Sequence, residues 1–323
     1  IEFSDWSSDV CSSDLLVELI KSNKGYVDRM EKSFKLILAN YLKICRQFSR
    51  TNIKHFIESE TLIEKVSLIN PKATYNVLFL YIKELASSLK SSESDAKAFN
   101  AICSFSYIKL LQIIARCLKA NPNEKISQLK HPFCQLILSS LTSINGVMHL
   151  PVTISIVSVL ISIASPSYYV SPIPALLLAL KQLSAVVPRP TTAPQKPKDK
   201  KKKQKPQTQQ KMVKKDCDLT FALYVTAEDQ RDSEFISKAT DMLIDEFNKF
   251  FTIYKSSIAF PELSYMTLYS LKEIAKTSKS VVLSSKVRKY IIQLTKAVDS
   301  LKQKRSTIDF GPFDLEQVAA FES

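Results

Sequence analysis

Glycine is almost absent: Gly25, Gly146 and Gly311 are the only three in 323 residues. Only glycine reaches positive φ at low cost, and tight β-hairpins and phosphate-cradling loops depend on it. So little glycine argues against a β-sandwich, a dinucleotide-binding βαβ unit and a P-loop. Helices joined by polar turns need it least. Histidine is equally scarce. His55, His131 and His149 fall on separate segments, and His131, directly before Pro132, reads as a loop residue. No H-E-x-x-H, G-x-S-x-G or Walker pattern occurs. The acid pairs Glu58/Glu60 and Asp229/Asp232 stand in charged neighbourhoods typical of solvated faces. No convergent polar set emerges. The sequence therefore points away from an enzyme and calls for no metal or cofactor.

The six cysteines form no C-x-x-C pair and no zinc spacing. Cys45, Cys103, Cys117 and Cys134 fall in apolar helical patterns and read as buried free thiols of a reducing compartment. Cys217 admits no single reading. Ile1–Leu15, IEFSDWSSDVCSSDL, holds Cys11 and the only tryptophan, Trp6. Within it DVCSSDL is what one frame of a common sequencing-adapter end encodes. Residues 1–15 are expected to be such an artefact, or else a disordered tail, and the natural chain is expected to start further upstream.

The net charge is +14, and its placement matters more than its size. Between Pro188 and Lys215 stand eleven Lys or Arg against one Asp, so the rest of the protein is only mildly basic. This stretch is rich in Pro, Lys and Gln and has no aromatic residue. It buries too little surface to offset chain entropy, and 188–217 reads as a disordered linker. Its centre, Lys198, Lys200, Lys201, Lys202, Lys203 and Lys205, admits three readings: a nuclear-import signal, contact with RNA phosphates by counterion release, or a solvating linker. Base stacking is excluded for want of an aromatic side chain.

Both flanks of that linker read as helical. Phe34, Ile37, Leu38, Tyr41, Leu42 and Cys45 form one amphipathic stripe. Further helices are predicted around Ile57–Leu68, over Thr74–Leu89 after an Asn70-Pro71 boundary, and over Ala101–Leu118 up to Asn121-Pro122-Asn123. Leu150–Ala164 has no charge at all. It is shorter than the roughly 20 residues a membrane span requires, and its serines and prolines fit a helix enclosed by other helices. Beyond the linker, Phe221–Val225 looks extended. Ser233–Tyr254 is a strong helix with the face Leu243, Phe247, Phe250, Phe251 and Tyr254. Phe260-Pro261 opens another, to about Ala275, and Val281–Lys304 is the last long one. Its apolar face is Val287, Tyr290, Ile291, Leu294, Val298 and Leu301. Its other side, with Lys286, Arg288, Lys289, Lys296, Lys302 and Lys304, is either a solvated face or a second RNA stripe. The tail is expected to hold an extended docking segment at Asp309–Phe313. The whole predicts an all-α protein: a HEAT/armadillo-like α-solenoid of antiparallel helix pairs, interrupted by a disordered Lys-rich linker. Its parts are a helical-repeat region (16–187), the linker, a C-terminal helical region (218–313) and a tail (314–323). No strict internal repeat is visible, so any repeats are divergent.

Two passages resemble the nucleolar complex protein 2 family. Ile258-Ala259-Phe260-Pro261-Glu262-Leu263, preceded by Ser257, is similar to the family's SIAFPEL segment. Lys304-Arg305-Ser306-Thr307-Ile308-Asp309-Phe310 is similar to its KRSxVDF segment, at about the same spacing. Gly146–Pro151 and Tyr168–Leu180 resemble a further family region, in which His149 stands where Arg is usual. The family's YxPLR segment has no clear counterpart. The resemblance implies a nucleolar α-helical solenoid without a catalytic centre. It also implies pairing with a larger CCAAT-binding-factor-like helical-repeat protein and action on early precursors of the large (60S) ribosomal subunit and their rRNA. The rival reading is an importin-like α-solenoid transport adaptor, and a weaker one is a membrane-associated helical protein. Phe260 and Pro261 read as a packing corner, and Phe310 and Phe313 as either core plugs or partner anchors.

Overall fold

The computed structural model describes residues 27–189, 219–311 and 313–322, and these are helical with no strand among them. The first half runs α1 (Val27–Cys45), α2 (Ile53–Ile69), α3 (Pro71–Ser92), α4 (Ala96–Ile102), α5 (Phe105–Ala120), α6 (Glu124–Ser127), α7 (Lys130–Ser143), α8 (Leu150–Ile163) and α9 (Ile173–Ser184). After the undescribed residues 190–218 come α10 (Ser233–Tyr254), α11 (Phe260–Thr277), α12 (Val281–Arg305) and α13 (Leu315–Glu322). The Lys198–Lys205 run and the opening segment 1–15 lie outside the described residues.

Local chemistry sets the helix starts. The Asn70 side chain accepts from Ala73 N, and Pro71 fills the first turn of α3, where its missing N–H costs nothing. Asp95, Ser104, Asp232 and Ser280 cap α4, α5, α10 and α12 in the same way. Ser104 explains one departure from the sequence reading. The stretch read as a single helix over Ala101–Leu118 is two, broken at Cys103-Ser104, because the Ser104 hydroxyl offers Tyr107 N an acceptor outside the helix. His131 is a second departure, since it lies inside α7 and not in a loop. Pro132 follows it in the first turn, where a proline removes no helical hydrogen bond. The chain end adds an element that the sequence did not announce: Leu315–Glu322, read only as tail, forms α13.

The buried apolar residues form one continuous cluster from Phe34 to Leu301. At its centre is α8, which packs on α5, α7, α9 and α10. Neighbours on several sides bury eleven of its fourteen residues and leave only Ser155, Ser158 and Ser162 toward solvent, which suits its lack of charge. No single described helix is long and apolar enough to cross a membrane. The helices α11 and α12 form the most extensive pair, and α10 lies against both α12 and α8, joining the two halves. Tyr254 Oη donates to Ser165 O (3.1 Å) across that junction, and Val225 N donates to Met148 O (2.8 Å). Leu219–Phe221 is a 3-10 turn and Leu223 lies in a bend, so the extended segment expected over Phe221–Val225 does not form as a strand.

Cys45, Cys103, Cys117 and Cys134 are buried and unpaired. Burial pushes the Cys45 and Cys103 thiols up to about 11 and that of Cys117 to about 12. The reactive thiolate is therefore scarce at neutral pH.

A polar knot ties α1, α2 and α5 together. Glu60 is only 7% exposed. Its carboxylate accepts from Tyr41 Oη (2.8 Å), Lys109 Nζ (3.0 Å) and Arg116 Nη1 (2.9 Å). Arg116 Nε also donates to Glu64 (3.0 Å), and Lys109 Nζ sits 4.5 Å from the centre of the Phe48 ring. This overturns the reading of Glu60 as solvated, while Glu58 beside it is exposed. Glu60 occupies the same helix face as Phe56 and Ile63, and two cations on α5 neutralise it there.

Two outcomes follow. Glu60→Ala strands Lys109 in the interior and should lower the unfolding free energy by about 3 kcal/mol, read as a fall in the urea midpoint; Glu58→Ala should leave the midpoint in place. Gly146 has φ 98 and ψ 156, a backbone region essentially closed to other residues. A Cβ there would meet nothing within 4 Å. Gly146→Ala should therefore cost about 2 kcal/mol through backbone strain alone, and a thermal melt of the variant measures it.

Candidate interaction platform at the C-terminal motifs

The two motif segments of the C-terminal region meet at one end of the α11–α12 hairpin. Ser257 to Ala259 form the turn from α10 into α11, closed by a hydrogen bond from Phe260 N to Ser257 O (2.9 Å). Phe260 is buried, with its ring edge-on to Phe251 at a centroid distance of 5.7 Å. Pro261 is buried in the first turn of α11, and the Ser264 hydroxyl donates back to Phe260 O (2.9 Å). Ile258 and Leu263 are half-buried, and Ala259 and Glu262 face solvent. The half of the motif that reads apolar thus packs, and the rest is left available.

Glu262 joins the first motif to the second. Arg305 Nη1, in the last turn of α12, donates to both of its carboxylate oxygens (2.7 and 2.9 Å). Burial alone would raise the Glu262 pKa. The hydrogen bond from Arg305, a backbone hydrogen bond and the positive charges of Arg305 and Lys302 together outweigh it and hold the carboxyl below its ordinary 4.5. The position in the first turn of α11 also favours a negative charge.

The tail completes the platform. One Glu322 oxygen accepts from Ser257 Oγ and from Ile258 N, both at 2.9 Å. Phe310, half-buried, lies edge-on to Phe321 at 6.5 Å, and Phe321 packs against the core. Asp309 is exposed, and Phe313 is 95% exposed. Of the two aromatic residues for which plug and anchor stood as alternatives, Phe310 packs and Phe313 does not.

Beside the platform, α11 presents Tyr265, Met266 and Tyr269 on one exposed face. The basic side of α12 is less uniform than its sequence suggests. Lys286 donates to Ser237 and Asp241 and so fastens α12 to α10. Arg288, Lys289, Lys296, Lys302 and Lys304 are exposed. Arg288 and Lys289, with Val281, Ser284 and Ile292, line an open groove of about 430 Å³. His149 is half-buried, edge-on to Phe99 at 5.5 Å, and its Nδ1 has no hydrogen-bond partner. Among the described residues no cluster of His, Cys, Asp or Glu is arranged to hold a metal ion.

Sequence reasoning read Glu60 as solvated and passed over Phe321 and Glu322. Glu60 had a signal, because it interrupts an apolar face on α2 while Lys109 and Arg116 stand two turns apart on the largely buried α5. Glu322 had none, since nothing in a short tail says which distant amide its carboxylate will meet.

These features define an all-helical protein in which two separated sequence motifs and the tail close into one surface platform. The chain belongs to the Noc2p family, whose model matches residues 28–323. It is similar to an uncharacterized NOC2 family protein of Schizosaccharomyces pombe, 21% identical over 295 residues, covering 87% of this chain and 39% of the relative. It is also similar to the nucleolar complex-associated protein 2 of Arabidopsis thaliana, 20% identical over 292 residues, covering 89% of this chain and 36% of the relative. The chain thus spans under two fifths of the length of these curated relatives.

The Glu262–Arg305 pair should titrate in a definite sense. A carboxyl held below 4.5 adds stability that is present above that pH and is lost as pH falls through the depressed value. In a double-mutant cycle of Arg305→Met and Glu262→Gln, the coupling should be at most about 1 kcal/mol at neutral pH, as suits a partly exposed pair. It should vanish well below pH 4.5. Coupling that persists there would mean that the two side chains interact otherwise than by charge.

Proposed function

We propose that this protein is a non-enzymatic nucleolar assembly factor for the large (60S) ribosomal subunit. The observation that carries this reading is the family match across residues 28–323, joined to a relative named as nucleolar complex-associated. In this reading the helices form divergent HEAT-like pairs, and their surface holds a CCAAT-binding-factor-like helical-repeat partner. The exposed Tyr265, Met266 and Tyr269 beside the motif platform supply apolar contact area suited to a protein partner. The exposed cations of α12 and the Lys-rich run around Lys200 contact precursor rRNA through its phosphates, an attachment that salt weakens steeply. Work inside the pre-60S particle places the protein in the nucleus, and in the nucleolus within it. The Lys-rich run also serves as its import signal.

Affinity purification of the tagged protein from its own cells, with and without RNase, tests this. The expected yield is large-subunit precursor rRNA together with one stoichiometric helical-repeat protein that survives RNase. Recovery of import factors and cargo without precursor rRNA would replace the proposal by the transport-adaptor reading.

A further inference from the structure

The end of α12 carries chemistry beyond its packing. Lys302, Lys304 and Arg305 crowd the last turn, and the exposed residues Ser306 and Thr307 follow. Thr307 therefore has a lysine three positions before it and an arginine two before it. Protein kinases that select basic substrates recognise such a pattern by charge complementarity. We propose that Thr307 is a phosphorylation site for a basophilic Ser/Thr kinase, and that the phosphate opens the Glu262–Arg305 clasp and frees the tail.

The site is reachable. Thr307 Oγ1 donates to Lys304 O (2.7 Å), and Ser306 Oγ to Gln303 O (2.7 Å), each a local bond at a helix end. Helix ends fray readily, which exposes the extended stretch a kinase cleft requires. Two backbone bonds, from Thr307 N to Lys304 O and from Ile308 N to Arg305 O (both 3.3 Å), are equally local, and the restraint from outside the turn is on Arg305, which Glu262 holds from the neighbouring helix. Surface ion pairs are weak, so Glu262 competes with the kinase for this arginine and slows the reaction without preventing it.

In the transfer, Thr307 Oγ1 attacks the γ-phosphorus of ATP. The Oγ1–P bond forms as the bond from that phosphorus to the β,γ-bridging oxygen breaks. ADP leaves, and the hydroxyl proton passes to the kinase's catalytic base. The modified side chain has no proton left to donate to Lys304 O. It also brings a charge near −2 to the negative end of the α12 dipole. Three phosphate oxygens now stand two residues along the chain from Arg305, and a dianion competes with the single Glu262 carboxylate for its guanidinium. Once Arg305 leaves Glu262, the chain from Ile308 to Phe310 loses its fixed departure point. The Phe310–Phe321 contact and the bonds from Ser257 and Ile258 to Glu322 depend on that point.

The test incubates the full chain with MgATP and the purified catalytic subunit of a basophilic kinase, maps the phosphate by mass spectrometry and follows amide hydrogen exchange. Phosphate is expected on Thr307, absent from Thr307→Ala and retained in Ser306→Ala, with circular dichroism confirming that both variants fold. Glu262→Gln should be modified several-fold faster. The phosphorylated chain should exchange the Ile258 amide and the 315–322 amides faster than the unmodified one. No phosphate at Thr307 while a basic control peptide is modified would overturn the site. Equal rates for wild type and Glu262→Gln would overturn the restraint by Glu262, and phosphorylation at Thr307 with unchanged exchange would overturn control of the tail.

Discussion

An uncharged helix imposes the main constraint on this fold. Eleven of the fourteen residues of α8 are buried and leave water only a serine edge (Ser155, Ser158 and Ser162), so α5, α7, α9 and α10 all pack on it. That requirement fixes more than local packing. Two of those neighbours belong to the first half of the chain, one precedes the Lys-rich stretch directly, and one follows it. Helix burial therefore joins the described residues on the two sides of 190–218. The apolar area shared across α8 scales with the free energy of the junction, and the Tyr254 and Val225 hydrogen bonds orient it more than they strengthen it.

Polar groups in the interior follow a different rule. The Glu60 knot sets three helices against one another through a single carboxylate and its donors. Apolar contacts tolerate sliding, whereas a buried carboxylate does not tolerate losing a donor. The knot thus fixes the register of α1, α2 and α5, while the surrounding residues supply the adhesion. At the C-terminal motifs the exposed Glu262–Arg305 pair uses the same chemical groups in water, where they hold more loosely. One fold therefore contains a permanent and a releasable version of the same ion pair, separated by burial.

Much of this was legible in the sequence because helices announce themselves through spacing. The stripe from Phe34 to Cys45, the face from Leu243 to Tyr254 and the cap at Asn70-Pro71 all gave an element in the right place. The break at Cys103-Ser104 was hidden, because an apolar period continues across it and only the Ser104 hydroxyl marks the stop. Of the acid pair Glu58 and Glu60, only Glu60 interrupts an apolar face, and that interruption gains its meaning once the cations of α5 stand beside it. In the C-terminal motifs the residues were legible and their joining was not. Glu262 and Arg305 lie 43 positions apart, and nothing short of the α11–α12 hairpin says that they meet.

Gly146 is the only described position with positive φ. Elsewhere the described backbone stays in regions open to every L-residue, and what the fold demands is hydrophobic spacing, a few caps and a handful of polar matches. Such a structure can change most of its letters through many small, individually tolerable exchanges. The chain matches its family while sharing about one residue in five with two relatives, and a backbone that demands a particular residue at so few described positions is compatible with that divergence.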